Sequence, residues 1–568
     1  MASPHVATTD DSVTFPHSDR DAKFAPPFRA AIGDPARALD SVAWSHLAAI
    51  VCVAALLRVA LLAGYFGSDD LTYLQVAIGI ADGHWKTFEY VGALRYGVNL
   101  PNALFIKLFG ASEFSANLWS LLCSVGEVAL VFIIAHRIWG IRAAWLAGVV
   151  IGILPLHVHF GARAMADAPL AFFITLSFVL FWFAEQGRGA AWYVGAGLAA
   201  GFVFWIKEAV VIYWAVFAIL ALGRRTWNTK WCWFALAALL MVALNCLLMW
   251  AITGDPVHIF KILRAATAKY VHLFKVETSL WYYPRYLFVD IKHVWVMPFL
   301  ALAGIVLWAA QGLRQRAFDP RTGYVVAWAL GLFAVFSFMP ISLSPLRLIA
   351  KQTNYMLIFT APLCLLAGYA LSRLRGRWLA VVLAPLVAGS LMLAALEQQV
   401  VRSFTANGKA AVAFAQRHPE TPVYVATNNH RAGTYAAIMR PGETPINPLR
   451  PLEAITRDLE SRRTAIVAPE AAAAPLAYAV VDEETMNWGS SNPITTLAQI
   501  PACWERTARL EPVGYGWGKW VVDALFAVVD LLPKPMVARL GPALESLRHP
   551  RPAHVYAIGA ACRFSLAR

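Results

Sequence analysis

The chain has 568 residues, 59% of them hydrophobic, a mean hydropathy of +0.56 and a formal net charge of +14. Hydropathy that high excludes an ordinary soluble globular protein, and apolar runs of roughly 17–22 residues recur, each long enough to cross a bilayer as a helix. The positive charge is concentrated in the short loops between those runs, so it reads as membrane topology and not as a surface for nucleic acid.

Residues 1–45 are polar, mixed in charge and rich in Pro and Asp, and read as a loose cytoplasmic tail without a secretory-signal pattern. Eleven spans follow, at about 46–66, 115–136, 143–160, 169–185, 190–206, 208–222, 231–252, 294–310, 324–341, 354–371 and 378–396. With the N-terminus inside, the inner loops carry Arg137 and Arg142; Arg188; Arg224, Arg225 and Lys230; Arg314, Arg316 and Arg321; and Arg373, Arg375 and Arg377. This is the positive-inside pattern. An odd number of spans then places residues 397–568 outside, beyond a membrane domain at 46–396.

The first outer loop opens with the stretch SDDLTYLQVAIGIADG at 68–83. Asp69 and Tyr73 stand four apart, so a helix starting here puts both on one face. Asp69 and Asp70 would sit at its N-terminus, where the dipole favours an anion; each is a candidate base or ligand, or an acidic cap. The loop continues through His84, Trp85, Glu89, Tyr90, Arg95 and Tyr96 to PNALFIKLFG at 101–110. There Leu104, Phe105, Leu108 and Phe109 form the apolar stripe of a short interfacial helix.

The next outer segment supplies His157, His159, Arg163 and Asp167. The HxH pair is a weak metal pattern, since no further ligand spacing accompanies it. Asp167, before Ala-Pro, fits a helix cap and equally a substrate-binding acid. Lys207 and Glu208 share a tight turn between two spans. A charge pair so near the hydrocarbon is a functional candidate, or else a snorkelling lysine paired with its neighbour. In the loop 253–293, Lys261, Arg264, Lys269, His272 and Lys275 alternate with Phe260, Leu263, Tyr270, Leu273 and Phe274 as a basic amphipathic helix for lipid headgroups. Arg285 follows it. The last outer loop adds Arg347, Lys351, Gln352 and Tyr355, with Arg347 and Lys351 spaced to share a helical face.

Beyond 400, short β-branched runs at 423–427, 464–468, 478–482 and 554–558 predict a small extracytoplasmic α/β domain. The segment WVVDALFAVVDLL at 520–532 is too short and too acidic to span, and fits a helix lying on the membrane. Five cysteines, Cys52, Cys123, Cys232, Cys246 and Cys364, fall in or beside the spans and read as small buried hydrophobes; Cys503 and Cys562 share the outer domain, where a disulfide is plausible.

One side of the membrane thus gathers Asp69, Asp70, Arg95, Arg163, Asp167, Lys207, Glu208, Arg285, Arg347 and Lys351. Transfer from a lipid-linked phosphate needs this mixture: a carboxylate to take a proton from an acceptor hydroxyl, and cations to stabilise charge on a phosphate leaving group.

The order of features resembles the GT-C superfamily of membrane glycosyltransferases, nearest the branch of protein O-mannosyltransferases and lipid A aminoarabinose transferases. The matching pieces are Asp69-Asp70 with Tyr73 and Ala77, LFGASEFSANLWS at 108–120, GARAMADAPLAFF at 161–173, GFVFWIKE at 201–208, and the Arg347–Tyr355 loop before a Pro-containing span. The resemblance covers roughly residues 45–400 and implies a polyprenyl-phosphate sugar donor, inverting in-line transfer, and a glycan, lipid or protein acceptor. It makes Asp69 the general base, Asp167 the second acid that positions acceptor or sugar, and Lys207 a residue close to the lipid phosphate. Asp70 stands where a Glu is common, which leaves its role open. Some superfamily members need a divalent cation such as Mg or Mn and others do not. The branch, with the Ala-rich composition, implies a bacterial inner membrane and a periplasmic outer domain. Two other classes fit a polytopic cationic chain. A lipid-oligosaccharide flippase or transporter should carry its polar residues at mid-membrane on broken helices, whereas these span interiors are nearly free of charge. A non-catalytic glycan-binding relative should lack the acidic pair.

Overall fold

The computed structural model describes residues 40–566, apart from 86–89, 223–227, 273–277, 345, 440–446, 466–474, 487–491, 513–517, 530, 532, 536, 539–544, 546, 550 and 565. Nearly all of the expected tail, together with Glu89, Arg224, Arg225, Leu273, Phe274 and Lys275, lies outside the described residues.

In chain order the helices of the apolar part are α1 (Ser41–Ala60), α2 (Asp69–Ala81), α3 (Tyr96–Phe109), α4 (Glu113–Trp139), α5 (Ile141–Ile153), α6 (Pro155–Gly161), α7 (Asp167–Phe183), α8 (Ala190–Ile206), α9 (Trp214–Leu222), α10 (Trp231–Thr253), α11 (His258–His272), α12 (Tyr282–Phe288), α13 (Met297–Gln315) and α14 (Pro320–Phe338). A hairpin, β1 (Pro340–Leu343) and β2 (Leu346–Leu348), precedes α15 (Leu357–Arg373) and α16 (Arg377–Arg417). Among the described residues, eight helices are long and apolar enough to cross a membrane: α1, α4, α7, α10, α13, α14, α15 and α16. The protein is a polytopic helical membrane protein. The remaining predicted spans are also helical but broken or short. The 143–160 stretch is α5 and α6, bent by 62° where Pro155 starts a new helix. The 190–206 and 208–222 stretches are α8 and a 3-10 turn running into α9.

The span interiors are not as free of charge as the sequence implies. Arg58 on α1 and Glu127 on α4 are fully buried. Arg58 Nε donates to Ser124 Oγ (2.6 Å), Nη1 to the carbonyls of Ala54 (2.9 Å) and Gly152 (3.0 Å), and Nη2 to His157 Nδ1 (2.6 Å). His157 Nε2 then donates to Glu127 (3.0 Å), which also accepts from Thr175 (2.8 Å). Every Arg58 nitrogen has a partner, as a charge in low dielectric requires. The network staples α1, α4 and α7 to the α5–α6 bend.

The C-terminal part holds a five-stranded sheet, with β3 (Val423–Val425), α17 (Thr427–Ile438), β4 (Leu449–Pro451), α18 (Ile455–Ala465), β5 (Ala477–Asp482), β6 (Glu505–Leu510), α19 (Gly518–Val529) and β7 (Ala553–Ile558). The strand order is β4-β3-β5-β7-β6; β4, β3 and β5 are parallel, and β7 is antiparallel to both β5 and β6. Three of the four predicted strand runs are strands. The fourth, 464–468, enters from α18, and 466–468 lie outside the described residues. The edge strands β4 and β6 escaped notice for a physical reason. β4 is three residues ending in Pro451, and β6, ERTARL, is polar and largely exposed, as edge strands often are. Cys503 and Cys562 form a disulfide. Of the other cysteines, Cys123 and Cys364 are buried, but Cys52 and Cys232 are exposed on the outer faces of apolar helices.

No break separates the two parts at 396/397, because α16 runs unbroken from Arg377 to Arg417. Nor does a solvent layer. Tyr65, Leu74 and Ala77, around α2, share one hydrophobic core with Ala411, Val423, Val425, Tyr435 and Val480.

Candidate active site

Asp69 is the first residue of α2, as the sequence predicts, and Tyr73 lies one turn on along the same face. The Asp69 carboxylate is partly exposed (38%), accepts from the Tyr90 hydroxyl (2.6 Å), and stands 3.7 Å from Arg95 Nη1. Arg95 Nη1 also donates to the buried Tyr73 hydroxyl (2.6 Å), and its Nε lies 3.5 Å from Glu208. One guanidinium thus ties the start of α2 to the 3-10 turn that follows α8. Gly97 allows that approach: a Cβ there would lie 2.8 Å from Ile206 Cγ1 and 2.9 Å from the Trp205 carbonyl carbon.

Asp70 turns the other way. Its carboxylate accepts from the backbone amides of Phe66 (2.5 Å), Gly67 (3.3 Å) and Ser68 (2.6 Å), and it is buried. Three amides are thereby satisfied at the loop that delivers Asp69. Asp70→Ala leaves them without a partner inside protein, a loss of about 1–3 kcal/mol for each buried group. Thermal unfolding should therefore shift down by several degrees for Asp70→Ala and much less for Asp70→Asn, whose carbonyl still accepts. Equal shifts for the two would show that the cradle is not what holds the loop.

Asp167 is the first residue of α7 and does not cap it, since the N-cap position is Ala166. The carboxylate instead accepts from Lys207 Nζ (3.3 Å) and Asn354 Nδ2 (3.0 Å). Lys207 Nζ also lies over the Tyr355 ring, 4.4 Å from its centre. Burial pulls the Lys207 ammonium down, but the Asp167 carboxylate and the Tyr355 hydroxyl together offset it and hold Lys207 above the ordinary lysine range. Lys207 and Glu208 are thus not paired with each other. The turn sends one to Asp167 and the other to Arg95. Arg95 acts electrostatically on Lys207, and Asp167 on Tyr73, so the two clusters lie within each other's field.

Arg163 forms a third cluster. Its Nη1 donates to His159 Nε2 (2.7 Å), its guanidinium lies 4.3 Å from the centre of the Phe66 ring, and Asp70, Asp167 and Glu397 all act on it. His159 Nδ1 is 3.9 Å from Glu397, which also contacts His293 Nδ1. The two histidines of HxH therefore enter different networks, His157 the buried staple and His159 this cluster. Among the described residues no trio of His, Cys, Asp or Glu is arranged to hold a metal ion.

The later bases divide. Arg347 and Lys351 share no helical face: the loop is a hairpin, since Ile341-Ser342-Leu343 and Leu346-Arg347-Leu348 alternate with the period of a strand. Lys351 is buried, and its Nζ donates to the carbonyls of Phe336 (3.0 Å), Ser337 (2.9 Å) and Ile349 (3.1 Å), where it fastens the hairpin to α14. Arg347 and Arg285 are exposed, and neither side chain makes an ion pair among the described residues. Arg285 rides on α12, which Tyr282 ties to Thr353 (3.0 Å), next to Asn354 and Tyr355. Sequence reasoning passed over Asn354, Glu397, His293 and the pairing role of Tyr90. Glu397 carried a signal, as an acid set directly at the end of an apolar run; Asn354 carried none. The stripe Leu104, Leu108 and Phe109 on α3 is exposed, as an interfacial helix requires. In α11, Lys261 pairs with Asp255 at the exposed surface (2.7 Å).

Two carboxylates at the starts of α2 and α7, each beside a cation from another segment, thus stand among broken apolar helices; the resemblance read from the sequence is to the GT-C membrane glycosyltransferases. Comparison with known proteins bears out that resemblance. The family described as dolichyl-phosphate-mannose-protein mannosyltransferase matches residues 98–250. An undecaprenyl phosphate-alpha-4-amino-4-deoxy-L-arabinose arabinosyl transferase of Pseudomonas aeruginosa is 25% identical over 338 residues, 55% of this chain and 57% of that protein. A second transferase of the same description, from Pseudomonas fluorescens, is 24% identical over 329 residues, 55% of this chain and 57% of that protein. The chain thus spans little more than half the length of these relatives. The crystal structure of ArnT from Cupriavidus metallidurans in the apo state superposes with a TM-score of 0.53 at 20% identity, covering 83% of this chain and 97% of that one. Its complex with undecaprenyl phosphate gives 0.51 at 18% identity, with the same coverage. The chain carries the GT-C fold.

Proposed function

We propose that this protein is a glycosyltransferase of a bacterial inner membrane that moves a sugar from a polyprenyl phosphate to an acceptor hydroxyl at the outer face. The observation that carries the reading is the pair of carboxylates at the starts of α2 and α7. Asp69 is partly open and touches Arg95; Asp167 is buried and bound to Lys207 and Asn354. The open carboxylate is the base. It removes the proton from the acceptor hydroxyl, whose oxygen attacks the anomeric carbon as the bond from that carbon to the phosphate oxygen breaks, with inversion. Asp167 orients acceptor or sugar. Lys207, fixed beside it, and the exposed Arg285 and Arg347 take up the negative charge left on the polyprenyl phosphate. The relatives named for undecaprenyl-phosphate-linked aminoarabinose, and the ArnT complex with undecaprenyl phosphate, support the donor class.

The transporter reading calls for polar residues that face a pathway. The buried Arg58–His157–Glu127 network instead has its guanidinium fully hydrogen-bonded between helices, which supports a staple.

Lipid analysis of cells lacking the protein tests the proposal. A glycosylated polyprenyl phosphate should accumulate and one glycan or glycolipid product should disappear. An unchanged polyprenyl-phosphate pool would remove the transferase reading.

A further inference from the structure

The loop from Leu61 to Ser68 that delivers Asp69 is neither helix nor strand, and Gly64 (φ +74°) and Gly67 (φ +86°) hold it in left-handed backbone. Such a loop has little rigidity of its own. Its fixed points come from residues more than three hundred positions later. Arg402 Nη2, on α16, donates to the Leu62 carbonyl (3.0 Å). Tyr435, on α17, stacks on Tyr65 with ring centres 4.3 Å apart and planes within 16°. Phe404 stacks on Phe66 (5.1 Å), whose ring also meets Arg163. Arg431, on α17, donates Nη1 to the Gly67 carbonyl (2.6 Å), and a Cβ on Gly67 would lie 3.6 Å from its side chain. Phe66 and Gly67, with the next residue Ser68, also give their amides to Asp70 beside the base.

We infer that α17 of the C-terminal sheet, through Arg431 and Tyr435, positions Asp69 for the transfer reaction. The sheet is then part of the catalytic apparatus and not an appended binding module. Arg431 touches loop backbone, not reacting atoms, so it is a positioning residue. This inference rests on the transferase reading above.

Purified full-length protein in proteoliposomes tests it, with the lipid extract of cells lacking the protein as donor and release of polyprenyl phosphate as the readout. A misplacement near 1 Å is enough to lower a rate about 100-fold. Arg431→Ala should therefore lower kcat about 10- to 100-fold with KM for the donor lipid little changed, and Arg431→Lys, which keeps a donor for Gly67, should recover much of it. Should Arg431→Ala fail to fold, Tyr435→Leu carries the test and should also lower kcat at constant KM. Wild-type kcat in these variants, or a loss confined to KM, overturns the inference. Asp69→Asn in the same series keeps the two readings apart: if it alone is inactive, only the role of Arg431 fails, and if it too turns over normally, the transferase base fails first.

Discussion

Asp69→Asn should lower turnover by about 100- to 10,000-fold, the range for loss of a positioned general base, while leaving folded yield and thermal stability close to wild type. The asymmetry comes from geometry. Asp69 is partly exposed and among the described residues its one short contact is with Tyr90, so an isosteric amide keeps shape and most bonding. The loop before it is held by Asp70, which the substitution does not touch. Release of polyprenyl phosphate by the purified variant, beside its thermal unfolding profile, makes the measurement. Retained turnover removes Asp69 as base and leaves it a helix-start anion near Arg95.

A different pattern is expected at Lys207. Removing one partner of a buried ion pair leaves an uncompensated charge, which costs about 3–5 kcal/mol. Lys207 and Asp167 are both nearly inaccessible, at 8% and 2% side-chain exposure. Lys207→Met should therefore destabilise the protein strongly and abolish transfer. The double variant Lys207→Met/Asp167→Asn should regain most of the stability, because the stranded charge is gone, yet none of the turnover. Unfolding in detergent separates the terms. A Lys207→Met protein as stable as wild type would mean that Asp167 does not depend on this ammonium.

Asp69 was legible as a helix-start acid from periodicity and dipole preference, and Asp167 from its place before Ala-Pro; their roles as base and second acid came from the family resemblance alone. Asp70 was not separable from Asp69 by such rules. Adjacent residues on a helix point about 100° apart, and only the backbone of Phe66–Ser68 decides which one turns inward. Lys351 shows the same limit. Its charge and loop placement suit a phosphate ligand, but three carbonyls of its own chain occupy it. The spans were readable from apolar length, whereas the 62° bend between α5 and α6 was signalled only by Leu-Pro at 154–155. The pairings across the site, Arg95 with Glu208 and Lys207 with Asp167, join residues 113 and 40 positions apart. No local pattern predicts such partners; they follow from helix packing, as at Gly97 against α8.

The unbroken α16 has a bearing on protein engineering. At 1.5 Å per residue its 41 residues run for about 60 Å, twice the hydrocarbon thickness. It carries Glu397 to the Arg163 cluster, then Arg402 and Phe404 to the loop before Asp69. A chimera spliced at residue 397, where hydropathy suggests a domain boundary, would set the rotational phase of a rigid rod anew: one residue added or lost there turns everything beyond it by about 100°. Exchange of C-terminal units between relatives should therefore succeed only when the junction preserves helical phase across this rod.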